Sequence, residues 1–179
     1  MRTCLTIVAL SAAGVCLALA CGCVNADPAK GYSFKSLYPT DIRTVDVPIF
    51  RRGKDVYRRE LEFRLTEAVK KQIELDTPYK LASKNRADTQ LTGTIDEVEQ
   101  RVLSFNPDTG LAREMEITFA LSLRWTDLRN GKVLKDVRNL KVSGTYVPSE
   151  PLGEDFAQGS EDVINRAAVR IVEQMEADW

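Results

Sequence analysis

From Met115 to Trp125 every second residue is apolar: Met115, Ile117, Phe119, Leu121, Leu123 and Trp125 share one parity. Glu116, Thr118, Ser122 and Arg124 occupy the other. Side chains alternate across a strand, so this stretch reads as a strand with one dry face and one wet face. Such a strand needs partners beside it and a layer against its dry face.

Two stretches have the period of that layer. Leu61, Leu65, Val69 and Ile73 recur every four residues with Ala68 alongside, which predicts a helix over about Val56–Glu74, with Asp55 able to cap it and Pro78 soon after its end. Ile164, Ala168, Ile171 and Met175 form a second apolar stripe. Ser160, Glu161 and Asp162 suit the start of that helix and its dipole.

The remaining strands follow from parity and turn chemistry. Val45, Val47 and Ile49 alternate within Ile42–Phe50, where Pro48 has no N–H for a ladder and belongs at an edge or bulge. In residues 87–105, Leu91, Gly93 and Ile95 share one parity but Val98 and Val102 the other, which predicts a bulge near Asp96 or Glu97. Asn106–Gly110 is turn chemistry, and Arg129–Lys132 is a turn in which Asn130-Gly131 suits positive φ. Leu134–Val147 returns as a strand, with Leu140, Val142 and Tyr146 on one parity. The order is β-α-β-β-β-α. The expected fold class is α+β, a two-layer α/β sandwich with two helices packed on one face of a four-stranded, mostly antiparallel sheet.

The first residues obey different rules. After Met1-Arg2, Thr3–Ala20 carries no charge, the layout of a secretory signal. All four cysteines lie at 4, 16, 21 and 23. "LALA" before Cys21 resembles a bacterial lipobox, in which the thiol is alkylated by diacylglycerol and the chain is cut just before it; Cys23 is the alternative acceptor. Two or more acyl chains anchor stably, since each buried methylene contributes about 0.8 kcal/mol. The expected organisation is a signal peptide over 1–20, a lipidated tether over 21–40 and one domain over 41–179. Without residues 1–20 and their single cation, the net charge moves from −1 to −2, which argues against a general nucleic-acid binder. The chain has no histidine. Ser-His triads, Cys-His dyads and His/Cys zinc sites cannot be built in the domain, and no cofactor is expected. Asp96, Glu97 and Glu99 read as a solvated strand face rather than a metal or acid–base set.

The ordered set "GYSF", "IRTVDVPIF", "ELEFRLTEAVKKQI", "ADTQLTGTI", "LRWTDLRNGKVL" and "AAVRIVEQMEADW" behind a lipobox resembles the LptE family of outer-membrane lipoproteins. The likeness runs from about Gly31 to the C-terminus. It implies a non-enzymatic role: plugging and helping to assemble the LptD β-barrel, and taking part in delivery of lipopolysaccharide to the outer leaflet. It also implies lipid anchorage in the outer membrane, with the domain facing the periplasm and barrel lumen. Neither Gly22 nor Val24 is the aspartate that retains enteric lipoproteins at the inner membrane. A lipid- or protein-binding lipoprotein of another envelope transport system is the alternative.

The densest charge feature is Arg51, Arg52, Lys54, Arg58 and Arg59, with Arg64 beyond. Cations near a helix N-terminus oppose its dipole, so the cluster has two readings. It is an anion site, for lipid phosphates or acidic segments of a barrel partner, or a solvated loop paired with Asp55, Glu60 or Glu62. The polar face of Thr118, Ser122 and Arg124 is a second contact candidate or plain solvated surface. Trp125 reads as core, and Trp179 as packing over a sheet edge.

Overall fold

A computed structural model describes residues 36–148 and 155–177. Cys21, Cys23, the "GYSF" segment and Trp179, with the expectations attached to them, lie outside these residues. The elements are β1 (Thr44–Asp46), β2 (Arg51–Arg52), α1 (Leu61–Asp76), β3 (Lys80–Leu81), β4 (Thr89–Phe105), β5 (Ala112–Asp127), β6 (Val133–Tyr146) and α2 (Phe156–Glu173). They form the expected α+β arrangement, two helices with a mostly antiparallel sheet, but the sheet has six strands rather than four, in the order β3-β1-β4-β5-β6 with β2 also on β4.

The alternating stretch lies within β5, at the centre of an antiparallel meander with β4 and β6. Ile117, Phe119, Leu121, Leu123 and Trp125 are buried in one core with Leu61, Leu65, Val69 and Ile73 of α1 and Ile164, Ala168 and Ile171 of α2. The register of β4 against β5 slips between Ile95 and Glu97, so the bulge sits where the parity change put it. A second slip in β6 pairs Leu140 with Leu121 but Val137 with Leu123. There Asn139 adopts φ 56, a left-handed conformation that Asn tolerates better than most residues.

The strand expected over Ile42–Phe50 is interrupted at Pro48. β1 pairs with β4 at Thr89 and Gln90, and β2 pairs with the same edge at Thr94 and Ile95. Between them Val47 and Phe50 turn into the core while Ile49 stands 55% exposed. The Phe50 amide, freed from any ladder, donates to the Thr66 hydroxyl of α1 at 3.0 Å. β3 has too few residues to show a period, and it pairs parallel to β1 after the α1 crossover.

Both helix starts differ from expectation. α1 begins at Leu61 rather than Val56, because Glu60 takes φ 74 and residues before it cannot continue the helix; Asp55 does not cap it. α2 begins at Phe156, ahead of Ser160. Its cap is Asp155, whose carboxylate accepts from the Gln158 amide at 2.8 Å while the Gln158 side chain accepts from Asp155 at 3.2 Å. Ser160 is buried one turn inside the helix. In the β5–β6 turn only Gly131 has positive φ, at 73°; Asn130 instead donates through its side chain to Asp127 at 3.1 Å.

α2 lies close over β6 because two positions lack a side chain. A Cβ on Gly159 would stand 2.5 Å from Cγ of Tyr146, and one on Gly144 would stand 2.9 Å from Cγ2 of Val163.

Candidate functional site: the basic segment and the mouth of the two helices

The fold divides the basic run between two surfaces. Neighbouring residues of a strand face opposite ways, so Arg51 turns to the open face of the sheet while Arg52 turns back towards Glu62, 3.9 Å away. Lys54 is exposed in the loop that follows. Arg58, Arg59 and Arg64 line a cleft of about 620 Å³ where the start of α1 meets the start of α2.

Each side chain there is placed differently. The Arg58 guanidinium lies over the Phe156 ring, 3.6 Å from its centroid, and donates to Gln100 at 3.0 Å. Gln100 in turn donates to the Tyr146 hydroxyl at 2.9 Å. Arg64 crosses to α2, donating to the Ala157 carbonyl at 2.9 Å and the Ser160 hydroxyl at 3.3 Å, and pairing with Glu161. Arg59 is exposed beside them. Of the pairings expected for a solvated loop, Arg52 with Glu62 is the one that forms, and Arg51, Lys54, Arg58 and Arg59 have no carboxylate within ion-pair distance among the described residues. No side chain caps α1, although Glu62 lies in its first turn and Glu60 and Asp155 also line the cleft, so its carboxylates offset part of the positive charge that meets the helix start. An arginine fork facing such a mouth suits a phosphate or carboxylate.

The open sheet face carries the second candidate. Ser122 donates to Asp96, and Arg124 pairs with Asp136 at 2.8 Å. Thr118 is half-buried beside Glu99, Arg101 and Glu116. Glu97 and Glu99 lie along the same face, opposite Ala120 and Thr118. Trp125 is in the core, with its ring centroid 6.0 Å from that of Tyr79.

A polar cluster that the sequence reading missed ties the first described segment to the β5–β6 turn. Arg129 donates to Asp127 through Nε and Nη2, at 3.0 and 2.8 Å, and to the carbonyl and carboxylate of Asp41, both at 2.9 Å. The Arg129 hydrogen bonds hold the Asp127 carboxyl down to about 2, against the desolvation that would raise it. Asp88 is likewise lowered, chiefly by the Arg43 amide with help from Thr44. Burial raises the Tyr79 phenol, whose hydroxyl donates to the Pro39 carbonyl at 3.2 Å. These groups brace the fold. No described helix is long and apolar enough to cross a membrane.

Comparison with known proteins adds to this geometry. None of the curated proteins compared matches the chain. Among solved structures, an uncharacterized lipoprotein B from Nitrosomonas europaea is 17% identical with a TM-score of 0.53, covering 82% of this chain and 91% of that one. Protein XCC0632 from Xanthomonas campestris is 13% identical with a TM-score of 0.50, covering 74% and 82%. Rare lipoprotein B from Shewanella oneidensis is 19% identical, covering 74% and 93%, at a TM-score of 0.47. The first two share the fold. The sequence model for LptE, described as lipopolysaccharide-assembly, matches residues 42–178, which span every described strand and helix. The chain belongs to the LptE lipopolysaccharide-assembly family.

Proposed function

We propose that this protein is an outer-membrane lipoprotein that plugs and helps to assemble an LptD-type β-barrel and takes part in passing lipopolysaccharide to the outer leaflet. The family match over residues 42–178 carries this reading. Lipid on Cys21, or on Cys23, anchors the chain after removal of residues 1–20, and residues 21–40 tether the domain. The role is non-enzymatic: binding, orientation and assembly.

The helix-mouth cleft is the contact we assign to the phosphates of lipopolysaccharide. Its support is the pair Arg58 and Arg59, both without a carboxylate partner among the described residues, beside an uncapped helix start. Phe156 holds the Arg58 guanidinium in place by its ring face, so less freedom is lost on binding. The double substitution Arg58→Gln, Arg59→Gln should weaken lipopolysaccharide binding about tenfold at low ionic strength, where such attraction is least screened. Both side chains are exposed, so the thermal midpoint should stay within a few degrees. Binding that survives at native strength in low salt would remove the cleft from the account.

A further inference from the structure

The geometry points to a second anion site, on the sheet face turned away from both helices, that takes a phosphorylated saccharide. The site is a groove of about 730 Å³, within the size range of small-ligand pockets. Four cations line it, Arg51, Lys84, Arg124 and Arg138, against two carboxylates, Asp46 and Asp136. Asp136 is shared, 2.8 Å from Arg124 and 3.9 Å from Arg138. Asp46 accepts from Gln90 at 2.6 Å, and Asp96 nearby accepts from Ser122. The side chains of Arg51 and Lys84 are exposed and make no hydrogen bond or ion pair among the described residues, so the groove keeps positive charge that its own carboxylates do not neutralise.

Its floor and wall favour a sugar over a bare anion. Outward residues of β4 (Gln90, Thr92 and Thr94) and of the adjoining β5 (Ser122) spread amide and hydroxyl groups across it, about 6.8 Å apart along a strand and about 4.8 Å apart between strands. The break at Pro48 raises an apolar wall of Pro48 and Ile49 beside them. Hydroxyl partners, an apolar wall for a ring face and unpaired cations for a phosphate are the three needs of a phosphorylated saccharide. The anion follows from the charges alone. The choice of a saccharide also rests on the lipopolysaccharide role proposed above, and the groove lies on a different surface from the helix-mouth cleft.

The test uses the full-length lipoprotein in neutral detergent at low salt, with glucosamine phosphate as probe and its phosphorus NMR line width as readout. Saturable broadening is expected, and unphosphorylated glucosamine should not produce it. In an Arg58→Gln, Arg59→Gln background, which silences the helix-mouth cleft, the broadening should persist; adding Arg51→Glu, Lys84→Glu should weaken binding at least tenfold with an unchanged thermal midpoint, whereas adding Lys71→Glu, Lys132→Glu, exposed and outside both clefts, should leave it intact. Binding that survives the charge reversal overturns the proposal, as do equal losses from both pairs, which would mean diffuse attraction. Inorganic phosphate binding as tightly as the sugar phosphate overturns the saccharide assignment. No broadening, together with loss of a co-isolated barrel in the charge-reversed protein, would make the groove a protein interface and also overturn it. The helix-mouth reading fails separately, when Arg58→Gln, Arg59→Gln leaves lipopolysaccharide binding unchanged.

Discussion

Asp127 illustrates how one side chain can make this fold acid-sensitive. It is 3% exposed and accepts from Arg129 and Asn130, so its carboxyl is pushed down to about 2, below the unfolded value near 3.9. A group whose pKa is lowered by folding stabilises the folded state above the unfolded pKa, and that gain is lost as pH falls through the folded value. Stability should therefore drop between about pH 4 and about pH 2 more steeply in the native protein than in Asp127→Asn, as denaturant melts across that range would show. Parallel curves would remove Asp127 from the acid response. Glu60 makes a different case. Its φ of 74 comes with no capping hydrogen bond from its side chain, and a non-glycine residue held there carries strain of about 1 kcal/mol or more. Glu60→Gly should raise unfolding stability by roughly 0.5–1 kcal/mol despite its greater freedom when unfolded. A loss measured by urea denaturation would mean that the Glu60 side chain contributes more than its strain costs.

Among the elements, α2 approaches β6 closely at Gly159. The Cβ of Gly159→Ala would meet the Tyr146 ring at 2.5 Å. Overpacking of this kind costs about 1–3 kcal/mol, set against a propensity gain near 1 kcal/mol for removing a glycine from a helix. The net expectation is a lower thermal midpoint; a higher one would show that the helix can lift off the strand. The elements themselves were legible to different degrees. Six apolar residues in alternation left β5 no other reading, and Leu61, Leu65, Val69 and Ile73 did the same for the body of α1. Boundaries were not legible. Glu60 has no local signal for left-handed backbone, and Ser160 looked like a start because its neighbours are acidic, although Asp155 and Gln158 form the actual capping box. That pair does carry the capping-box spacing, three residues apart, and could have been found. β3 has two residues and depends wholly on its partner β1. Pro48 was read as an edge or bulge residue, and the observed break between β1 and β2 is the stronger form of that effect.

Across the whole molecule, charge rather than shape distinguishes the two candidate surfaces, and most of it was invisible to local reading. The basic run was plain in the sequence, but its division was not, although the alternation of Arg51 and Arg52 along a strand was a usable clue. Arg64 meets Glu161 across 97 positions, and Lys84, Arg124 and Arg138 reach Arg51 only through sheet pairing. Contacts of that separation are set by topology, and no spacing rule recovers them. Partnership with an outer-membrane barrel is tested by isolating the protein from its native membranes in mild detergent and identifying what accompanies it by mass spectrometry. A β-barrel of the LptD type at one-to-one stoichiometry is the expected result. A lipoprotein recovered alone, or bound to inner-membrane transport components, would contradict it.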